Sequence, residues 1–325
     1  MTTMRNAVLI LLGLLLGATA VQAQTFPTRP VTVLVTAAAG GVTDVVARAV
    51  GQKLSELWGQ PVVIENKGGA AHILGAQAVA RATPDGHTLL VAEAGTFVLN
   101  PSLYPPDKLG YEIGKDLVPI TGLVRINQAI VASNDLPASS IAELIALARQ
   151  KPGQLTYGTA AVASAPHMNM LKFERMANVK LQAVHYRGAA PALADVMAGH
   201  INLMSVSTSL ALPPQRDHRL KILGIGSAHR VAQASDLPTV AESVPGYEAV
   251  TWFGLAATGG TPPEVIRKIS ADVQAVMKDP AFRTKFMEPQ MFEPMAQTPE
   301  QFAAWLRTET QSWAKIIEET HLTIN

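Results

Sequence analysis

The chain contains no cysteine. That excludes disulfides, cysteine nucleophiles and thiolate metal sites, and a chain of 325 residues buries enough surface to fold without staples. Net charge is nearly absent too: 26 Lys and Arg stand against 25 Asp and Glu, interspersed, for a formal +1. The basic stripe of a nucleic-acid binder is therefore missing, and no nucleic-acid partner is expected. Catalytic signatures are equally scarce. There is no Gly-x-Ser-x-Gly elbow, no His-Glu-x-x-His and no Gly-Lys-Ser or Gly-Lys-Thr phosphate loop. The eight histidines include no pair at the helical spacing of a zinc site. Neither cofactor nor metal is expected, and a long-range triad such as Ser164, His167 and Asp195 is the only nucleophilic arrangement left open.

Long apolar runs are confined to the start. Arg5 precedes the apolar stretch Ala7 to Ala18, and Val21-Gln22-Ala23 offers the small residues that a signal peptidase needs. The run is shorter than the ~20 residues of a spanning helix. Cleavage after Ala23 is expected to release a soluble protein, and an exported chain without disulfides fits a bacterial periplasm. The remaining about 300 residues are roughly twice the usual domain length, which argues for two domains. A composition 48% apolar supplies two cores.

The rest of the chain is organised around Thr36 to Asp44, TAAAGGVTD. Before it, Val31, Val33, Leu34 and Val35 read as a strand buried on both faces. After it, Val45, Val46, Ala49, Val50, Leu54, Leu57 and Trp58 recur at helical spacing, with Thr43 or Asp44 able to cap the start. The small residues between bring a ligand close to the backbone, where free amides at a helix N-terminus favour an anion.

A βα rhythm follows. Pro61 to Glu65 reads as a strand, Asn66 to Ala71 as a loop, Ile73 to Ala82 as a helix and Thr88 to Ala92 as a strand ending in the small loop Glu93 to Thr96. Ligands of open α/β sheets collect at such strand ends. Ile120 to Ser133 is extended and crosses into a second unit. Ser140 to Glu143 forms a capping box for a helix through Ala148, and the rhythm then restarts. Strands are expected at 155–159, 179–186, 201–206 and 220–226, with helices at 166–177 and 191–198. Tyr247 to Thr258 returns to the first unit, followed by helices capped at Thr261 and Thr298. Phe302, Leu306, Ile316 and Ile317 of the last helix read as core contacts. The expected architecture is α/β, with two doubly wound α/β domains hinged around a ligand cleft. Residues 24–124 and 249–325 make one domain and 125–248 the other.

From Phe26 to about His321 the chain resembles the periplasmic solute receptors of tripartite tricarboxylate transporters, the Bug or TctC family. The resemblance is carried by Thr28-Arg29-Pro30-Val31, Gly40-Gly41-Val42-Thr43-Asp44, Gly59 to Asn66, Pro84 to Leu90, Gly95-Thr96 with Asn100-Pro101, Tyr186 to Ala192 and Trp252 to Leu255. It implies a type II periplasmic binding protein, monomeric and without enzyme activity. Such a protein captures a small carboxylated solute and delivers it to a membrane permease. The implied ligand-binding residues are Thr36, Ala38, Ala39, Gly40, Gly41 and Asp44 in the first turn, Ala71 and His72 in the next loop, and Glu93, Gly95 and Thr96 after the third strand. In the second domain they are Thr159, Ala160, Ser164, His167, Arg187, Gly188, Ser205, Val206 and Ser207.

The departures concern the ligand. Thr36 to Ala39 replaces a proline-rich turn, Glu93 stands where a small hydroxyl residue is usual, and Val206 falls where many members have an aspartate. Glu93 has two readings: it points to solvent or pairs with a base such as Lys67 or Arg187, or it reaches the ligand. In the second case it accepts a hydrogen bond from a hydroxyl or amino group, or it stays neutral beside an acid. His72 then supplies compensating charge and makes affinity depend on pH between about 5 and 8. A receptor for a sensor kinase and a periplasmic hydrolase are the competing classes.

Overall fold

A computed structural model describes residues 26–37, 39–68, 72–159, 164–186 and 188–320; the expected leader and its cleavage point lie outside them. In the first part of the chain, β1 (Val31–Val35), α1 (Val42–Trp58), β2 (Val62–Asn66), α2 (Ile73–Ala80) and β3 (Thr88–Glu93) alternate. β1 runs parallel to both neighbours, with Val33 opposite Ile64 of β2 and Leu89 of β3. A strand so placed is covered on both faces, which is why all its residues but Thr32 are apolar. Val31, Val33 and Val35 pack with Val46, Val50 and Leu54 of α1. Leu34 joins a second cluster with Ile73, Leu90 and Phe302, on the opposite face by the alternation of a strand.

The crossing strand β4 (Leu117–Ala132) leads to α3 (Ile141–Gln150), β5 (Thr156–Thr159), α4 (Ala165–Ala177), β6 (Gln182–His185), α5 (Ala189–Ala198), β7 (Leu203–Ser207), α6 (Thr208–Arg216) and β8 (Lys221–Ile225). The chain returns through β9 (Val250–Thr258), α7 (Pro263–Lys278), β10 (Phe292–Pro294) and α8 (Pro299–Thr320). β4 serves two sheets. It pairs antiparallel with β9 as far as Asn127, opposite Val250. From Gln128 it pairs with β7, and from Ala129 with β8. The resulting strand orders are β2-β1-β3-β9-β4-β10 and β6-β5-β7-β4-β8, so each lobe sets its first parallel strand between its second and third. The second sheet is also covered on both faces: Ile130, Ala132 and Leu203 lie in one cluster, Ala129, Val131 and Met204 in another. The lobes touch where Met168 of α4 packs with Leu99, Ile316 and Ile317, and Arg175 of α4 pairs with Glu319 of α8.

Several local expectations are revised. Val45 and Leu57 of α1 face outward, 39% and 55% exposed, because they fall on the side away from the sheet. α1 is entered from Gly41, so Thr43 and Asp44 lie inside its first turn and neither caps it. Thr261 turns its hydroxyl back to the Thr258 carbonyl at 2.8 Å, and Pro262 opens α7. Ser140 and Thr298 do cap: Glu143 N–H donates to Ser140 Oγ at 3.2 Å and Gln301 N–H to Thr298 Oγ1 at 3.3 Å. α6 had no counterpart in the sequence reading, since Pro213 and Pro214 inside it remove amide donors and argue against a helix. Among the described residues no helix is long and apolar enough to cross a membrane.

Candidate functional site

In the first lobe, β1 and β3 are adjacent and parallel, yet their connections leave in opposite directions: α1 leads to β2 on one side, α2 to β3 on the other. Such a switch point opens a crevice beyond the strand ends. The residues there are Thr36 after β1, Glu93 at the end of β3, and the π-helical turn Gly95–Leu99 that follows it.

Asp44 organises the first turn. It is 3% exposed, and its Oδ2 accepts from the Gly40 amide and from Arg48 Nε, both at 2.9 Å. Its Oδ1 accepts from Asn66 Nδ2 at 2.9 Å, and the same Asn66 amide donates to the Ala37 carbonyl at 3.1 Å. The Arg48 guanidinium, aided by the two amides and opposed by burial, holds the Asp44 carboxyl down at about 2. Gly40 has φ +81°, a left-handed conformation that glycine adopts without strain. The carboxylate therefore turns inward and fixes the loop that presents the start of α1. The first-turn amides of an α-helix have no intrahelical acceptors, and they carry the positive end of its dipole.

His72 ties the strand ends together. Its backbone is left-handed, φ +72°, a region few residues other than glycine enter, histidine more often than most. Nδ1 lies 2.6 Å from the Thr36 carbonyl and Nε2 2.9 Å from Glu93 Oε1. Glu93 raises the imidazole's pKa above its ordinary value, against a smaller opposing effect of burial. Of the two readings of Glu93, the partner seen is a base, His72 rather than Lys67, and Arg187 lies outside the described residues. The pair sits over Gly95, where an added Cβ would come within 3.8 Å of the ring and 4.0 Å of Glu93 Cγ. Thr36 and Thr96 are 1% and 0% exposed. Among the described residues neither hydroxyl has a hydrogen-bond partner.

The second lobe repeats the plan at the ends of β5, β6 and β7. Thr159 Oγ1 lies 2.8 Å from His185 Nδ1. His167, 5% exposed, stacks edge-on to His185 with ring centroids 5.0 Å apart. Burial, with a smaller push from His185, lowers His167 to about 4, so this ring is neutral at neutral pH. Ser164 precedes α4, Gly188 precedes α5 at φ +114°, and Ser207 precedes α6. Ser205 is fully buried and accepts from Asn169 Nδ2 at 3.3 Å. Val206 packs in the apolar cluster with Ala129, Met204 and Ala211, so its side chain is a core contact. Asp195 accepts from Tyr186 Oη at 2.6 Å and faces His200 at 3.2 Å, which separates it from the triad considered with Ser164 and His167. Ala38, Ala71, Ala160 and Arg187 lie outside the described residues. Asn66, Arg48 and His185 were not among the expected site residues. Asn66 and His185 end parallel strands, and that position is the signal that identifies them.

Two α/β lobes joined by a shared strand, each with a switch point, define the periplasmic binding protein class. The profile of the tripartite tricarboxylate transporter family receptor matches residues 46–322, and the chain belongs to that family. Rpa4515 from R. palustris, solved with adipate, is similar at 32% identity and TM-score 0.79, over 92% of this chain and 99% of that one. MatC (Rpa3494) from Rhodopseudomonas palustris, with bound malate, shares 31% identity at TM-score 0.74 over 90% of this chain and all of its own. The periplasmic binding protein BugD shares 32% identity at TM-score 0.75, covering 92% and 99% of the two chains.

Proposed function

We propose that this protein is an exported solute receptor that captures a small organic carboxylate between its lobes and hands it to the permease of a tripartite transporter. The observation that carries the reading is the switch point beyond β1 and β3, where the free first-turn amides of α1 stand at the strand ends, with the buried, unpartnered hydroxyls of Thr36 and Thr96 following those strands. Buried polar groups are nearly always paired, and leaving one unpaired costs about 1–3 kcal/mol. A ligand in the crevice beyond these strand ends meets the α1 amides, which take its carboxylate. Adipate and malate in the similar receptors are carboxylates of this kind. Asn127–Gln128 of β4, where pairing passes from one sheet to the other, with Ala249–Val250 beside it, is the proposed hinge. Ligand contacts to both lobes favour closure by their differential affinity for the closed state. The reading needs no covalent step.

Calorimetry on the mature protein, guided by mass spectrometry of any small molecule that copurifies, tests this. Gly41 has φ −72° and ψ 164°, an extended conformation that valine also adopts. Gly41→Val therefore adds bulk at the amides without backbone strain, and carboxylate affinity is expected to fall at least tenfold with little change in melting temperature. Unchanged affinity in a folded Gly41→Val protein places the ligand elsewhere. Turnover of the bound molecule favours the hydrolase reading.

A further inference from the structure

We infer that the His72–Glu93 pair makes this receptor selective for carboxylates that also carry a protonated amine, with a hydroxyl as the weaker substitute. The inference rests on the carboxylate reading above and deepens it. Both nitrogens of His72 face acceptors, the Thr36 carbonyl at 2.6 Å and Glu93 Oε1 at 2.9 Å. A neutral imidazole has one N–H, so the arrangement needs one proton more than a neutral ring and a carboxylate supply. The pair holds that proton as imidazolium and carboxylate.

The consequence for a ligand is directional. Both N–H donors of the ring are committed, so His72 has no nitrogen donor left for an incoming group. An ionised carboxylate has about four acceptor positions and donates nothing, and the pair with His72 engages Oε1. The corner of the crevice formed by His72, Glu93 and Gly95 therefore offers acceptors. Glu93 and His72 side chains are 28% and 33% exposed, open enough to be reached and sheltered enough for charge to matter. A ligand ammonium gains a charge-assisted hydrogen bond there. A second carboxylate placed against the free oxygen of Glu93 finds no donor there.

The arrangement is also held in advance. His72 keeps a left-handed backbone just before α2, where Gly75 packs against Thr36: an added Cβ would lie 3.1 Å from Thr36 Cγ2 and 2.8 Å from the Lys67 carbonyl oxygen. The ring thus stands at the start of α2 and its two acceptors at strand ends, and little side-chain freedom remains to be lost on binding.

The test is calorimetry with skeleton-matched pairs: succinate and aspartate, glutarate and glutamate, adipate and 2-aminoadipate. In the natural sequence the amino member of at least one pair is expected to bind tenfold or more tightly than its partner. In Glu93→Gln and Glu93→Ser, each checked for an unchanged circular dichroism spectrum and melting temperature, that ratio is expected to fall to about one, with the unsubstituted acid retained. Unsubstituted acids that bind as tightly as amino acids in the natural sequence, or a ratio unmoved in both variants, overturn the selectivity and leave carboxylate capture standing. Failure of all six compounds to bind at millimolar concentration removes both.

Discussion

Replacing Asp44 by asparagine keeps the shape of the side chain and removes its charge, so it isolates what the ionised carboxylate contributes to the turn. The native carboxyl is depressed from 3.8 to about 2. At 1.36 kcal/mol per pKa unit that is about 2.4 kcal/mol of stability at neutral pH. The partner Arg48 is 53% exposed, and water screening brings the expected loss to about 1–2 kcal/mol. The sign follows from the depressed pKa. The contribution is complete above the unfolded value near 4 and is lost as pH falls through about 2, with roughly half remaining at pH 3. Urea unfolding at pH 7 and pH 3 measures it, read by tryptophan fluorescence. All four tryptophans, Trp58, Trp252, Trp305 and Trp313, belong to the first lobe, so the signal reports the lobe that contains Asp44. Asp44→Asn is expected to lie below the parent at pH 7 and to close about half of the gap at pH 3. A gap that is the same at both pH values would refute an origin in the carboxylate's charge.

Other perturbations have equally definite outcomes. An alanine Cβ at Gly254 meets Phe302 Cζ at 2.5 Å and Phe97 Cε2 at 3.3 Å, and both rings are buried. Gly254→Ala should therefore lower stability by about 1–3 kcal/mol, and an unchanged melting temperature would contradict the packing. Imidazole NMR should separate two histidines: His72 titrating above 6.5 and His167 near 4. Stability from His72 is present below pH 6.5 and lost as pH rises through its raised value. His167 acts oppositely, because the unfolded chain takes its proton first as pH falls below 6.5. Equal titration of both rings would deny the Glu93 contact and the burial of His167.

The strands and their order were legible because buried parallel strands leave nearly continuous apolar runs, as at Val31–Val35 and Leu89–Ala92, with small residues close behind. The caps at Ser140 and Thr298 were legible because they are local. What escaped depends on partners far apart in the chain. His72 was expected to compensate the charge of Glu93 only where Glu93 reaches a ligand, and while Gly40 and Arg48 stand four residues from Asp44, its third partner Asn66 lies 22 residues on. Val206 looked like a ligand position by resemblance, while strand alternation places its side chain among Ala129 and Met204. α6 was hidden by its two prolines, although Ala211 on it is buried in the core.

The sharing of β4 between the sheets sets an order of assembly. Every strand of the second sheet lies between Leu117 and Ile225, whereas the first sheet needs β9 and the first core needs α8, which ends at Thr320. A chain emerging N-terminus first can complete the second lobe while the first still waits for the seam laid by Val250–Thr258. Until then the β3 edge and the β9-facing edge of β4 expose unpaired backbone, a template for pairing with other chains. Phe97, Trp252 and Phe302, which close that core on one another, come from three widely separated stretches of sequence. The ligand corner at Glu93 consequently acquires its β9 support late: Phe253 is the residue paired opposite it. A receptor truncated before Val250 would carry a finished second lobe and only an open-edged half of its binding crevice.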